Sequence, residues 1–108
     1  MEMTQITNAV LADITQRIVE VAEPDKLMLF GSRARGDARE DSDVDLLVIK
    51  PSDQARHLRA LPIYRALRGL GVPKDILWVT PEEVAEWGGV VNHVVWRCLK
   101  EGRVLYEK

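Results

Sequence analysis

Ile6, Val10, Ile14, Ile18 and Val21 recur at helical spacing with polar residues between them, and Pro24 closes the pattern, which predicts an amphipathic helix over about 4–22. The apolar run "KLMLF", Lys26 to Phe30, reads as a short buried strand. "DLLVIK", closed by Pro51, reads as a second strand, and "DILWV", Asp75 to Val79, as a third. Between these two, Leu58, Leu61, Leu67 and Leu70 form an apolar stripe that predicts a helix. Ser52 can cap its start, Gly71 suits its end, and Pro62 breaks or kinks it. "TPEEVAEW" has the order of a helix start: Thr80 as cap, Pro81 in the first position, and Glu82 and Glu83 where the helix dipole favours negative charge. Val91, Val94, Val95, Cys98 and Leu99 mark a last helix stopping near Gly102, and "RVLYE" follows as a short terminal strand or arm.

The expected order is therefore α-β-loop-β-α-β-α-α, an α/β chain of the α+β type with three strands. No repeat, low-complexity tract or linker interrupts it, so residues 1–108 are expected to form one domain. A hydrophobic fraction of 46% with 30% charged residues fits a soluble globular protein and argues against disorder. Fifteen basic against seventeen acidic residues leave a formal charge of -2, so non-specific phosphate neutralisation is excluded as a driving force and no direct nucleic-acid contact is expected. Cys98 is the single cysteine, which excludes an internal disulfide. The N-terminus lacks the basic flank and apolar core of a signal peptide, and no apolar run approaches the roughly 18 residues of a membrane span. A cytoplasmic protein with no membrane contact is expected.

Gly31 and Ser32 follow the first strand directly. Glycine lets the backbone bend sharply and approach a ligand, serine adds a hydroxyl, and a helical turn begun at "SRARG" would aim free N–H groups at a phosphate. An ordinary tight turn is the plainer reading of the same pair. Asp43 and Asp45, two apart at the head of a buried strand, point to the same face. Their repulsion is relieved by a cation, and hard oxygen ligands suit magnesium, although a solvated strand end would look the same. If the first two strands pair antiparallel and the third runs parallel to the second, Gly31, Ser32, Asp43, Asp45 and Asp75 meet at one rim. "GSRARGDA" lacks the Gly-Lys-Ser/Thr ending of a P-loop.

"GS", ten intervening residues and "DVD", with a later strand-borne aspartate, resemble the DNA polymerase β type nucleotidyltransferase superfamily. Within it, "GSRARGDAREDSDVDLLV" and the small size most resemble the minimal nucleotidyltransferases, often paired as antitoxins with HEPN ribonuclease toxins. The resemblance covers nearly the whole chain. It implies a three-stranded mixed sheet in the order 1-2-3 packed with helices, and magnesium-dependent transfer of AMP from ATP to an acceptor hydroxyl, with two metal ions. Carried over residue by residue, Gly31 and Ser32 match the triphosphate-holding turn, Asp43 and Asp45 the metal-binding pair, and Asp75 the third carboxylate, matched only by its place on the last strand.

Arg33 and Arg35, nearest the turn, are candidate phosphate ligands, with Arg39 further away; each can equally pair with the acidic residues of the same loop. His57 and His93 lack metal-ligand spacing, Cys98 lies on an apolar stripe, and Trp78, Trp87 and Trp96 read as core or interface residues. Val104 and Tyr106 are candidates for a partner surface. Three functions stay open at this stage: an adenylyltransferase acting on a tyrosine of a HEPN toxin, a non-catalytic antitoxin that masks its partner, and an enzyme modifying a small molecule such as an aminoglycoside. The last is weakened by a chain too short for a second substrate domain. Acceptor, nucleotide preference and oligomeric state, including a homo-oligomer, are left open.

Overall fold

Thr7 has extended backbone, and its hydroxyl accepts the Val10 N–H at 3.2 Å, so helix α1 begins at Asn8 and runs to Ala22 in this computed structural model, which describes residues 6–108. The expected start falls on residues 4–5, outside the described residues, and Ile6 and Thr7 precede the helix. The buried stripe of α1 is Leu11, Ile14, Ile18 and Ala22. Val10 lies on its flank and Val21 is 44% exposed, because at 100° per residue both fall roughly 65–85° to one side of the centre of the Leu11–Ile14–Ile18–Ala22 stripe. Lys50 Nζ donates to Ala22 O at 2.6 Å, placing a positive charge at the helix C-terminus.

Strands β1 (Lys26–Phe30), β2 (Val44–Ile49), β3 (Lys74–Val79) and β4 (Arg103–Glu107) form one mixed sheet in the order β3-β2-β1-β4. β2 is antiparallel to β1 and parallel to β3, while β4 lies antiparallel on the other side of β1. The expected three-stranded sheet is thus a subset of a four-stranded one. "RVLYE" is its fourth strand, and it gives β1 hydrogen-bond partners on both sides. At the opposite edge, the Ile76 N–H of β3 donates to the Tyr64 hydroxyl at 3.0 Å, which satisfies a group that an edge strand would otherwise leave open.

Side chains alternate across the sheet and divide the core in two. Leu27, Leu29, Val44, Leu46 and Val48 pack with α1 and with Ile63 and Leu67; Met28, Leu47, Ile49 and Val79 pack with Val95 and Cys98. The predicted helix after β2 is two short ones, α3 (Arg56–Arg59) and α4 (Leu61–Ala66), with Ala60 at the end of one and the start of the other and Pro62 in the first turn of α4. The break resets the helical phase. Leu58 and Leu61 are each 42% exposed, while Leu67 is buried as expected and Ile63 joins it in the core. The Ser52 hydroxyl accepts the Gln54 N–H in the loop instead of capping α3. Helix α5 (Pro81–Trp87) starts as predicted, Thr80 and Glu83 forming a reciprocal capping box. Helix α6 begins later than the apolar pattern suggests and runs Val94–Glu101, because His93 Nδ1 accepts the Val95 N–H at 3.1 Å; Val91 is left 66% exposed. Between β1 and β2, helix α2 spans Ser32–Arg35.

Candidate active site

The antiparallel step from β1 to β2 and the parallel step from β2 to β3 put the end of β1 and the beginnings of β2 and β3 at one rim. Phe30 lies opposite Asp45, and Asp45 opposite Asp75. Asp45 and Asp75 occupy odd positions, on the sheet face of Leu47 and Val79, so two adjacent strands each lead with a carboxylate on the face that α6 covers. Asp43 lies one residue ahead of β2. Asp43 and Asp75 are exposed and Asp45 is half-buried. Burial first, then the charges of Asp75 and Asp43, push the Asp45 carboxyl above the ordinary range, partly countered by Arg35 and Arg33.

Gly31 sits directly against this carboxylate. Its φ of 74° is in the region that disfavours side chains, and a Cβ added there would overlap Asp45 Oδ2 and lie 3.2 Å from Asp45 Cγ. The chain then turns into α2: Ala34 and Arg35 N–H groups donate to Gly31 O, and those of Gly36 and Asp37 to Ser32 O. The leading N–H groups of such a turn have no acceptor within it.

The two candidate arginines differ in what already holds them. Arg33 Nη2 donates to Ser42 O at 2.7 Å, Arg39 O at 3.2 Å and Glu40 O at 3.3 Å, and its Nε donates to Ser42 O at 3.1 Å. Arg35 pairs with Glu101 of α6 at 3.3 Å and with Asp37 at 3.4 Å; its side chain is 44% exposed, so both pairs are open to water. Neither Glu101 nor Ser42 stands out in the sequence, although Ser42 immediately precedes the Asp-Val-Asp signal.

Among the described residues, no three carboxylate, imidazole or thiol groups converge closely enough to hold a metal ion by themselves. Asp43, Asp45 and Asp75 are electrostatic neighbours, not a preassembled cage. That arrangement fits magnesium, which is commonly bound by one or two carboxylates together with substrate phosphates. The remaining candidates lie in structural positions. His93 caps α6 and stacks on Trp87 with ring centroids 5.1 Å apart, His57 is exposed on α3, and Trp78 Nε1 donates to Lys50 O at 2.9 Å. Cys98 is buried beneath the rim; burial and then the Asp45 charge push its thiol up to about 12, so it stays protonated and inert.

A mixed sheet whose strand-leading aspartates face a tight Gly-Ser turn defines a domain suited to a polyphosphate carried in with a hard cation. Sequence comparison supplies the family: residues 10–100 match the nucleotidyltransferase domain family, and the chain belongs to it. No curated protein sequence matches the chain. Among solved structures, a Sulfolobus solfataricus protein provisionally assigned as a nucleotidyltransferase is similar over 99% of this chain and 94% of its own, with 21% identity and a TM-score of 0.61. A toxin–antitoxin structure with AMP-PNP is similar over 91% of this chain and 73% of its own, with 19% identity and a TM-score of 0.54. At these identities the likeness is one of fold. Among the described residues, no helix is long and apolar enough to cross a membrane.

Proposed function

We propose that this nucleotidyltransferase-family chain is a cytoplasmic, magnesium-dependent adenylyltransferase that moves AMP from ATP to a tyrosine hydroxyl of a HEPN toxin, and so acts as its antitoxin. The observation that carries this reading is the position of Asp45, held beneath Gly31 and in register with Asp75. The similarity to a toxin–antitoxin structure with AMP-PNP supports the choice of partner and nucleotide.

In this reading Gly31 leaves room for the triphosphate, and Ser32 with the leading N–H groups of α2 binds it. Arg35, exposed and tied only by solvent-accessible ion pairs, is free to turn toward a phosphate. Asp43, Asp45 and Asp75 would hold two magnesium ions, which supply positive charge against the triphosphate and the ionising hydroxyl. Asp75 is exposed on β3, an outer strand of the sheet, where an acceptor held on a partner protein can reach it. As the hydroxyl oxygen bonds to the α-phosphorus, Asp75 assists by holding a metal or by taking the acceptor proton, and the bond from that phosphorus to the β-phosphate bridging oxygen breaks, releasing pyrophosphate.

The test is to incubate the chain with ATP, magnesium and a candidate HEPN toxin, follow the toxin's intact mass and assay its ribonuclease activity. Addition of one or more AMP groups, together with silencing, is expected. A toxin fully silenced with no change in mass would overturn the enzymatic reading in favour of masking.

A further inference from the structure

The turn that would hold phosphate and the strand start that would hold metal are separated by residues 36–42, a loop with no regular secondary structure. The pairing of β1 with β2 stops at Phe30 opposite Asp45, two residues short of Asp43. Two further features of the structure hold the chain between Asp43 and Gly31. Within the loop, Ser42 N–H donates to Arg39 O at 3.1 Å and Arg39 N–H donates to the Ser42 hydroxyl at 2.8 Å, closing a small ring immediately before Asp43. From outside it, the Arg33 guanidinium makes four hydrogen bonds to the carbonyls of Arg39, Glu40 and Ser42.

We propose that Arg33 is a positioning residue that sets the distance between the Gly31–Ser32 turn and Asp43 by gripping the loop carbonyls, and that it does not contact the triphosphate. Its planar fork suits this task. Nε and Nη2 converge on the single carbonyl of Ser42 while Nη2 also reaches two others, an arrangement that lysine, with one rotating ammonium, reproduces only in part. The backbone of Arg33 lies in α2, so the grip joins the phosphate turn to the residue preceding Asp43 as one rigid unit. The guanidinium also brings positive charge toward Asp45, easing the crowding of carboxylates before any cation arrives. The inference rests on the proposed nucleotidyl-transfer site.

The experiment compares wild type, Arg33→Lys and Arg33→Met, with thermal unfolding used to confirm that each is folded. Hydrogen exchange of the amides of Arg39 and Ser42 is followed in the nucleotide-free protein. Mn2+ binding with AMP-PNP present is read from the paramagnetic resonance of free Mn2+, ATP binding is measured by calorimetry without metal, and AMP transfer is resolved into kcat and KM. In Arg33→Met, loop exchange should rise and Mn2+ affinity fall by about tenfold or more, the scale of one lost charge-assisted hydrogen bond. kcat should fall by up to about a hundredfold, as for a misplaced reacting group, with KM for ATP and metal-free ATP affinity unchanged. Arg33→Lys should fall between the two. Unchanged loop exchange would overturn the proposal, as would faster exchange with Mn2+ affinity and kcat both intact. A loss confined to metal-free ATP binding would make Arg33 a phosphate ligand instead. Failure of the wild type to transfer AMP would count against the proposed function alone, because exchange and Mn2+ binding report on the grip without turnover.

Discussion

Where β2 and β3 end, Glu83 accepts the Thr80 N–H at 2.8 Å, Arg59 at 2.6 Å and Arg56 at 2.9 Å; where they begin, Asp43, Asp45 and Asp75 lie near one another with no such set of donors among the described residues. At the first end the Glu83 carboxylate is matched. Arg59, its side chain only 10% exposed, also donates to the carbonyls of Trp78 and Gln54, and Arg56 lies over the Trp87 ring at 4.4 Å. Burial alone would raise the Glu83 carboxyl, but the Thr80 N–H and then the two arginines bring it down to about 2. At the second end, burial and like charges act together and raise Asp45. Folding therefore stabilises one carboxylate as an anion and penalises the other. An acidic rim only partly countered by Arg35 and Arg33 is where a fold accepts a local cost, and the missing positive charge is expected to arrive with a ligand.

The contrast fails most plainly if the acidic rim is dispensable. Asp43→Ala combined with Asp45→Ala should abolish magnesium-dependent AMP transfer, and Gly31→Val should abolish nucleotide binding, since any side chain there strikes Asp45. Labelled-AMP transfer and calorimetry with ATP and magnesium check the two. Asp75→Asn comes next: transfer should fall by about a hundredfold, the usual scale of acid-base assistance, with ATP binding much less affected.

Stability measurements sharpen the comparison, because the two ends should respond with opposite signs. Glu83→Gln leaves Arg59 without its counter-charge in a nearly buried site and should cost about 2 kcal/mol at neutral pH by urea unfolding. Because the folded carboxyl is depressed from 4.5 to about 2, that advantage of the wild type is full above the ordinary carboxylate range and disappears as pH falls toward 2. Asp45→Asn should do the reverse and raise the unfolding midpoint slightly. Its benefit should be absent at acid pH, where both states hold the proton, and should grow as pH rises past 3.8 and the raised folded value. An equal loss of stability from both substitutions would show that the rim is as well compensated as the far end.

How much of this was legible depended on whether the information was local. The Thr80-Pro81-Glu82-Glu83 start could be read because a capping box is made within one turn, and the apolar runs of β1, β2 and β3 because buried strands need little else. The Gly-Ser and Asp-x-Asp signals sit on those strand ends, so the rim followed once the strand directions were set. What escaped depended on distant partners. The stripe drawn through Leu58 and Leu61 assumed one continuous helix, and the break at Ala60 and Pro62 rotated them out of the core. "RVLYE" could be read as a short terminal strand or arm, but not as the fourth strand of this sheet, because its pairing is set by the open side of β1. Arg33 was open to a phosphate or to local pairing within its loop, and only the folded chain brings the carbonyls of Arg39, Glu40 and Ser42 within its reach.

The pairing of β4 with β1 also sets an order of events in folding. It joins Lys26 to Glu107 and Leu29 to Arg103, contacts between distant parts of the sequence that form slowly because a long stretch of chain must first be closed. β1 leads straight into Gly31, so until β4 arrives the phosphate turn hangs from a strand bonded on one side only. During synthesis β2 and β3 can pair while β4 is still within the ribosome. The Gly31 turn is then expected to become rigid after the β2–β3 start that carries Asp45 and Asp75, and refolding followed at Gly31 should lag behind refolding followed at the β2–β3 pair.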